Sequence, residues 1–473
     1  MIPRIFLLLL FSFWVFVSGC SEDDPPPTGV VEDDTIEVTV DPTIAAWLKA
    51  SVIPFATANA GSGFDDLQPL KQVIGDARIV ALGEATHGTR EFFLMKHRLL
   101  EFLVKEMGFT CFAIEATWPE SNLVNDYIHT GEGNPAALLA GLYFWTWNTQ
   151  EVLDMILWMR ENRVSFHGFD MQFPAMAIDN VESYVARVDP ANLEIYLVLY
   201  QNFKAYANDP RSYTSLTPQQ KYVVRDQLRQ AYDMIVDRKD MYELRSSVKE
   251  YAYALQSARV VQQGEELYSQ RNSSYIMRDM FMAENTEWIL EQEGPQAKIV
   301  LWAHNYHVSV DPNNQATMGT HLRNTFGDDM IVLGFSFFKG SFNAVEYDPW
   351  TGYGGLKKHT VGIPPEESYS YHFRMADIPR MMLDLRTIDF DSTATDWIPG
   401  PRPFRGIGAV YNDDYALNYF YNAKLPQEFD VMIYFEQTNE SVLLPFPTRL
   451  DGPAGANLNE NFLGRESIPH DGP

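Results

Sequence analysis

The chain has 473 residues, 46% of them hydrophobic, which is enough for one large core or two smaller ones, because single cores stop growing near about 250–300 residues. Its formal net charge of -27 repels nucleic-acid phosphates and anionic lipid headgroups, so a nucleic-acid partner is not expected. The two cysteines, Cys20 and Cys111, exclude a disulfide framework and zinc sites built from cysteine pairs.

The N-terminus predicts export of the chain. Residues 1–19 carry a positive charge and then an apolar stretch, 5–17, that is shorter than the roughly 20 residues needed to cross a bilayer, as in a secretory signal. Residues 17–20 resemble a bacterial lipobox, in which Cys20 is lipidated; an ordinary signal or a membrane anchor is the alternative. The acidic, proline-rich segment 20–40 predicts a disordered tether. We expect a secreted lipoprotein of a Gram-negative outer membrane, periplasm or cell surface, attached to the membrane only through Cys20.

Six apolar runs predict strands that are buried on both faces, as in a parallel sheet, because their apolarity is continuous rather than alternating. They are Ala77–Leu82, Phe109–Ile114, Val164–Phe169, Lys298–Ala303, Met330–Phe335 and Val431–Phe435. Helical patterns lie between them; after the first run, apolar residues recur at helical spacing from Phe92 to Met107, with Thr89 available as the N-cap. This alternation predicts an α/β fold with a mostly parallel central sheet flanked by helices.

The alternation breaks between about Asp179 and Gln292, where the sequence is charged and helical and Thr217-Pro218 predicts a helix N-terminus. We interpret this region as a helical cap inserted into the core, with a separate helical domain as the alternative. The predicted segments are 41–178 and 293–447 for the two parts of the core, 179–292 for the insertion and 448–473 for a flexible tail. Within the second part of the core, residues 346–426 are predicted to be rich in loops.

Side chains capable of acid–base chemistry follow four of the predicted strands. They are Glu84 and His87 after the first strand, Glu115 after the second, Asp170 after the third, and His304, Asn305 and His307 after the fourth. A single strand-end carboxylate is more often a helix cap. Four consecutive strand ends of this kind favour one site, because ligands bind at the carboxyl ends of strands in open parallel sheets.

Two of these groups indicate how water would be activated. His87 lies ahead of a helix N-terminus, which favours a neutral imidazole that takes a proton from water, and Glu84 can orient it. His304 and His307, with Glu115, are also possible metal ligands. However, the sequence has no zinc-helix or calcium-loop motif, and histidine–carboxylate clusters also serve metal-free chemistry. We therefore predict no cofactor, with a bound metal as the alternative.

Other reaction types lack their motifs. The nearest serine candidate, in Gly334–Phe338, lacks the second glycine of a nucleophile elbow, and neither a P-loop nor a dinucleotide-binding turn is present. Cys111 lies among apolar neighbours and is interpreted as a core residue. The remaining histidines are interpreted as structural or surface residues: His97, His129, His321, His359, His372 and His470.

Six stretches resemble motifs of the erythromycin esterase family. They are Gly83–Phe92, Phe112–Ala116, Phe166–Asp170, Trp302–Val308, Arg405–Tyr411 and Phe429–Phe435. The resemblance implies an α/β core with a helical cap, and the hydrolysis of esters, which opens macrolactones in the members that confer antibiotic resistance. Distant relatives of this fold include metal-dependent peptidases and haem-binding lipoproteins.

The resemblance also implies residue roles. It places the general base on His87, the family's glutamates on Glu84 and Glu115, and its histidine pair on His304 and His307. A basic residue on the first helix, commonly arginine, is Lys96 here, which removes a planar fork that binds a carboxylate or oxyanion through two hydrogen bonds.

We therefore expect hydrolysis of a small-molecule ester by water that His87 deprotonates, while His304, His307 or Lys96 stabilises the oxyanion or protonates the leaving alcohol. The candidate substrate-binding residues are Arg90, Lys96, Trp118, Phe144, Trp145, Trp147, Asp170 and Asn305. Core packing is the alternative for the aromatic residues. Two other functions stay open: a metal-dependent amide or peptide hydrolase, and a non-catalytic lipoprotein that binds haem, metal or glycan at the same strand ends.

Overall fold

The structure is a computed structural model that describes residues 38–270, 274–311 and 317–445. The predicted secretory signal, Cys20, the tail 448–473 and His470 lie outside the described residues, and the tether lies outside them up to residue 37. In the described part of the chain, no helix combines the length and the apolarity that crossing a membrane requires.

The elements have the following bounds. The strands are β1 (Ile53–Pro54), β2 (Ile79–Leu82), β3 (Cys111–Thr117), β4 (Ser165–Asp170), β5 (Ile299–Trp302), β6 (Met330–Asp348), β7 (Gly352–Val361), β8 (Arg380–Asp384), β9 (Arg402–Arg405), β10 (Val410–Tyr411), β11 (Phe420–Ala423) and β12 (Val431–Thr438). The helices are α1 (Pro42–Ser51), α2 (Leu70–Ile74), α3 (Arg90–Met107), α4 (Trp118–Thr130), α5 (Pro135–Ala140), α6 (Gln150–Asn162), α7 (Ala175–Val188), α8 (Leu193–Lys204), α9 (Pro210–Thr214), α10 (Pro218–Val236), α11 (Lys239–Arg245), α12 (Val248–Ser269), α13 (Ser274–Glu293), α14 (Asn305–Val308), α15 (Met318–Phe326), α16 (Tyr369–Arg374) and α17 (Leu425–Glu428).

A mixed sheet forms the centre of the molecule. Its main path runs β1-β8-β12-β6-β2-β5-β3-β4, while β7 and β10 pair with β6. The strands from β12 to β4 are parallel to one another, and β8 and β1 continue the sheet with antiparallel pairs. This arrangement confirms the predicted α/β fold with a mostly parallel sheet.

All six predicted strands are present, as β2, β3, β4, β5, β6 and β12. Every residue of β2, β3 and β5 is buried, because helices cover both faces of the sheet there, and this explains their continuous apolarity. Residues 346–426 are rich in loops, as predicted, but the strands among them were not predicted. These residues contain β7 to β11, whose apolar pattern is weak because β7 pairs only along one side of β6 and is partly exposed.

Two predicted helix starts differ in their chemistry. Thr217 caps α10 through a capping box with Gln220, as its sequence indicates. Thr89 occupies the N-cap position of α3, but its side chain makes no capping hydrogen bond. The Thr89 hydroxyl is instead 2.5 Å from the Thr86 hydroxyl, so it joins the loop that carries His87 to the helix.

Between β4 and β5 the described residues form only helices, α7 to α13, and residues 179–292 lie inside this stretch. Two side chains of the stretch bond to the β4 end of the sheet. Asn285 Nδ2 on α13 donates to the Phe169 carbonyl at 2.9 Å, and the Tyr268 hydroxyl on α12 donates to the Gln172 carbonyl at 2.6 Å. The insertion is therefore attached where the strand-end side chains emerge.

Candidate active site

The register of the sheet brings the four predicted strand ends together. β2, β5, β3 and β4 are consecutive neighbours, and Leu82, Trp302, Ile114 and Gly168 lie side by side across them. Since the strands are parallel, the residues that follow these four positions emerge at one edge. The sequence prediction of a shared location therefore agrees with the strand order.

A buried glutamate anchors the first half of this cluster. Glu84 Oε1 is 2.6 Å from His87 Nδ1, and Glu84 Oε2 accepts from Lys96 Nζ at 2.5 Å and from Trp302 Nε1 at 2.7 Å. Burial would raise the pKa of Glu84, but the charge of Lys96 and the hydrogen bond with His87 outweigh it and lower that pKa below its ordinary value. Glu84 is therefore an anion that holds His87 by Nδ1.

Lys96 has a different place from the predicted one. It is fully buried on α3, with Nζ 4.1 Å from the centre of the Trp302 ring and 5.4 Å from that of Phe335. Burial lowers the pKa of Lys96 to about 8, with Glu84 acting in the opposite direction. Its contacts make Lys96 the support of Glu84 and not a substrate-binding residue.

His304 faces His87 across the site, with 5.2 Å between the ring centres. The Tyr306 backbone N–H donates to His304 Nδ1 at 3.2 Å, which assigns the proton of the neutral ring to Nε2. Burial, together with the charges of His87 and His307, lowers the pKa of His304 to about 3. His304 Nε2 is buried without a hydrogen-bond partner among the described residues, so it is a donor available to a ligand.

Glu115 connects the two halves of the site. The register between β3 and β4 shifts between Ile114 and Thr117, and such an irregularity redirects the side chains within it. Glu115 Oε2 accepts from the His304 backbone N–H at 3.1 Å, and Oε1 accepts from Arg278 Nη2 at 2.6 Å. Burial would raise the pKa of Glu115, but His307 and Arg278 hold it well below its ordinary value.

Arg278 and Asp279 on α13 complete the second half, and sequence reasoning missed both. Arg278 Nη2 donates to Glu115 at 2.6 Å and to Asp170 at 2.8 Å, so one guanidinium bridges the ends of β3 and β4. Asp170 thus binds Arg278, not a substrate. The available signal was an adjacent Arg–Asp pair inside the apolar stretch from Tyr275 to Ala283.

His307 lies between two carboxylates. Its Nδ1 is 2.9 Å from Asp279 Oδ1, and its Nε2 is 3.3 Å from Glu115 Oε1. Burial would lower its pKa, but Asp279 and Glu115 raise the pKa of His307 to about 10. Arg278 Nη1 also approaches Nε2 at 3.1 Å, which would be a hydrogen bond only to a neutral ring. We assign the imidazolium, because three carboxylates surround Arg278 and His307 here.

Trp147 forms a wall of the site. Its Nε1 donates to the Glu115 carbonyl at 3.0 Å, and its ring centre lies 6.4 Å from that of His87 and 5.4 Å from that of Trp302. This is the one predicted aromatic residue that directly contacts both halves of the cluster in the described part of the chain.

Comparison with known proteins identifies the family of the chain. A family model described as erythromycin esterase matches residues 104–438. The chain belongs to the erythromycin esterase family.

Three relatives illustrate the range of the likeness. The chain is 26% identical to an erythromycin esterase type II from Escherichia coli, over 70% of this chain and 81% of the relative. A solved structure titled as a succinoglycan biosynthesis protein is 26% identical, with a TM-score of 0.73, over 85% of this chain and 98% of that one. A mutant of the erythromycin esterase EreC in its open conformation is 15% identical and shares the fold, with a TM-score of 0.64 over 81% of this chain and 96% of that one. Family membership indicates a hydrolase.

Several predicted substrate-binding residues lie elsewhere. The Arg90 side chain is 48% exposed and pairs with Glu151 at 3.1 Å, because the first turn of α3 directs it away from the sheet edge. The Asn305 side chain bonds to the Phe335 backbone, donating to its carbonyl at 2.7 Å and accepting from its N–H at 3.0 Å. Each side chain thus makes a contact within the protein, and neither is placed in the histidine–carboxylate cluster in the described part of the chain.

The other aromatic candidates are also outside the cluster. Trp118 packs against Trp288 and Tyr253, with ring centres 5.3 and 5.6 Å apart. Phe144 packs against Phe173 at 5.6 Å, and Trp145 is buried, so core packing accounts for Phe144 and Trp145. Cys111 is a buried strand residue, as interpreted. Away from the cluster lie His97, His129, His321, His359 and His372.

The described residues include no group of three or more His, Cys, Asp or Glu side chains arranged to hold a metal ion. The carboxylates of the second half already surround a protein cation, because Arg278 Nη2 is within 2.8 Å of both Glu115 and Asp170. The facing rings of His87 and His304, 5.2 Å apart, are compatible with acid–base chemistry.

Proposed function

We propose that the protein hydrolyses a small-molecule carboxylic ester by direct attack of water, with a macrolide lactone as the first substrate to test. The observation that carries the proposal is the pair of facing histidines. One of them, His87, is held by a carboxylate, while the other, His304, presents a buried N–H without a partner among the described residues.

His87 acts as the general base. With Nδ1–H donating to the Glu84 carboxylate at 2.6 Å, the ring carries its lone pair on Nε2, which takes a proton from water. Glu84 fixes the tautomer and stabilises the imidazolium that forms, as a buried carboxylate does beside the histidine of other hydrolases. Lys96 keeps Glu84 ionised.

His304 stabilises the oxyanion. Attack of water on the ester carbonyl places negative charge on the carbonyl oxygen, and a neutral Nε2–H donor in a buried site stabilises that charge strongly. Loss of one such donor typically lowers kcat by about 10²–10³. The low pKa of His304, about 3, keeps it a neutral donor throughout the working range of pH.

The second half of the site supplies fixed charge. The Glu115 carboxylate accepts a hydrogen bond from the His304 backbone N–H, and Arg278 and the His307 imidazolium balance the charge of the surrounding carboxylates.

When the tetrahedral intermediate collapses, the C–O bond of the ester breaks and the leaving alkoxide takes the proton held by His87. Water is thus divided between the acid and alcohol products.

Access to the site requires movement. His87, Glu115, His304 and His307 are each at most 9% exposed. Arg278 and Asp279 belong to α13 of the helical insertion, so displacement of the insertion would open the second half of the site while leaving Glu84 and His87 in place. We propose that substrate enters by this route.

The test is turnover of erythromycin by the purified protein, followed by mass spectrometry for the addition of one water, with p-nitrophenyl esters in parallel. Wild type, His87→Asn and the surface control His129→Asn are compared, each with and without chelator. We expect hydrolysis by wild type and by the control, insensitivity to chelator, and a loss of about 10²–10⁴-fold in His87→Asn, because a general base contributes that much and Asn cannot accept the proton.

Other outcomes separate the alternatives. Activity lost with chelator and restored by metal would favour a metal-dependent hydrolase. Absence of turnover on every ester, with a ligand retained after purification, would favour a binding protein. Equal activity of His87→Asn and wild type would overturn the assignment of the base.

A further inference from the structure

A second cavity lies between the core and the helical insertion. Its volume is about 490 Å³, and it is lined by α4 of the core and by α7 and α12 of the insertion. This size is within the range of about 300–1,000 Å³ that is typical of small-molecule sites. None of the catalytic residues proposed above lines it, so it is a separate feature of the molecule.

Two buried polar atoms on α4 have no hydrogen-bond partner among the described residues. They are the Nε1–H donor of Trp118, whose residue is 1% exposed, and the Oδ1 acceptor of Asn122. Both residues line the cavity and are one helical turn apart on the same face of α4. A buried polar group without a partner costs about 1–3 kcal/mol, so a ligand atom or a water in the cavity that bonds to these atoms would be favoured.

The donor is held in a fixed direction. The Trp118 ring packs against Trp288 at 5.3 Å and Tyr253 at 5.6 Å, and those two rings are 5.3 Å apart. Three mutually packed rings leave the Trp118 indole little freedom to turn toward another acceptor. The geometry is therefore preorganised for a ligand atom.

The charges around the cavity favour a neutral ligand. Arg187 and Glu250 lie at its rim and pair with each other. Lys249 and Asp126 are exposed and opposite in sign, and Lys249 lies over the Tyr253 ring at 5.5 Å. The buried lining is instead aromatic, amide and hydroxyl in character, and carries no uncompensated charge.

We propose that this cavity binds a neutral polyhydroxylated ligand of the saccharide class. A hydroxyl group can accept from Trp118 Nε1 and donate to Asn122 Oδ1, which satisfies both atoms at once. The partly exposed Tyr253 ring would pack against a C–H face of the sugar, and Asn180 at the rim adds a further amide. This site rests on its own geometry and is independent of the ester hydrolysis proposed above.

The test is saturation-transfer NMR on the full-length protein with glucose, galactose and N-acetylglucosamine, and with gluconate and glucosamine as charged counterparts. We expect saturable binding of at least one neutral sugar, a shift of the Trp118 indole N–H resonance, and weaker binding of the charged counterparts. Trp118→Phe keeps the ring but removes the donor, and should weaken binding at least about five-fold, as expected for one lost hydrogen bond.

Trp158→Phe is the matched control, because Trp158 on α6 packs beside His97 on α3 and is absent from this cavity. The Trp158→Phe variant should bind the neutral sugar with the same affinity as wild type. Melting temperatures show whether each variant folds. If Trp118→Phe does not fold, Asn122→Ala provides a second test of binding. The proposal is overturned if no neutral sugar binds saturably, or if both Trp118→Phe and Asn122→Ala bind as wild type does.

Discussion

The two halves of the active site are built in different ways. Glu84, His87 and Lys96 come from one continuous stretch, the end of β2 and the start of α3, and form a chain of one cation, one carboxylate and one base. Glu115, Asp170, Arg278, Asp279 and His307 come from the ends of three strands and from the insertion, and combine three carboxylates with two cations.

The charged residues of the first half are close together in sequence, whereas those of the second half come from distant parts of the chain. In the first half, a short segment already contains the partner of every charge, so its geometry depends on one loop and one helix. In the second half, two of the three carboxylates depend on a cation that is far away in sequence: Arg278 is separated by 163 residues from Glu115 and by 108 from Asp170. The second half should therefore be the more sensitive to how the insertion sits on the sheet.

The largest effect on stability should follow Arg278→Met, which leaves Glu115 and Asp170 buried without their shared guanidinium. We expect a loss of about 3–5 kcal/mol in the free energy of unfolding, because removing one member of a buried ion pair leaves an uncompensated charge. Urea unfolding measures it, with Arg187→Met as the control. Arg187 pairs with Glu250 at the surface, where about 0–1 kcal/mol is expected. Equal losses in the two variants would contradict the distributed network.

Lys96→Met tests the local half and should cost somewhat less, about 3 kcal/mol, because Trp302 Nε1 and His87 still bond to Glu84. Lys96→Arg keeps the charge and should recover part of the stability. Activity should fall in Lys96→Met even at temperatures where the protein is folded, since Glu84 then holds His87 less firmly. A larger loss of stability than in Arg278→Met would reverse the comparison between the halves.

The halves should also respond oppositely to pH. The pKa of His307 is raised from 6.5 to about 10, so the native state binds more protons than the unfolded state in this window and its contribution is lost as pH rises through it. The pKa of Lys96 is lowered from 10.5 to about 8, so its contribution rises with pH between 8 and 10.5.

Between pH 6.5 and 8, His307 changes the pH dependence of stability and Lys96 does not. In this window we expect the free energy of unfolding to fall by up to about 1.4 kcal/mol per pH unit. His307→Asn should remove that slope, while Lys96→Met should retain it and extend it above pH 8. Urea unfolding at successive pH values measures both. A slope that survives in His307→Asn would show that His307 is neutral in the folded protein.

The smallest effect is expected for Trp147→Phe, which keeps a ring between the halves but removes the hydrogen bond to the Glu115 carbonyl. The expected cost is about 1 kcal/mol of stability, typical of one hydrogen bond. A decrease of a few-fold in kcat with little change in KM would indicate that Trp147 positions Glu115. A change confined to KM would indicate that Trp147 binds substrate instead.

Sequence by itself determined the α/β fold, the six strands and the proximity of Glu84 and His87. Burial on both faces of a sheet imposes continuous apolarity, and one loop sets the spacing of Glu84 and His87. Both features can therefore be recognised in a short stretch of sequence. The parallel order of strands also made the meeting of Glu115, Asp170 and His304 predictable in outline. Strands in the 346–426 region were missed because edge strands with glycine and exposed faces carry a weak pattern.

Only the tertiary structure decided which of these side chains face the site and which are committed to the protein. The Asn305 side chain bonds to the Phe335 backbone, Arg90 pairs with Glu151, and Lys96 pairs with Glu84. Arg278 was not predicted as a site residue because its role comes from the packing of an inserted helix against a strand end more than a hundred residues away along the chain. Asp279 was not predicted because its partner His307, 28 residues away, belongs to a different element. The partners that neutralise a buried charge can come from distant parts of the chain, so a local sequence pattern does not predict them.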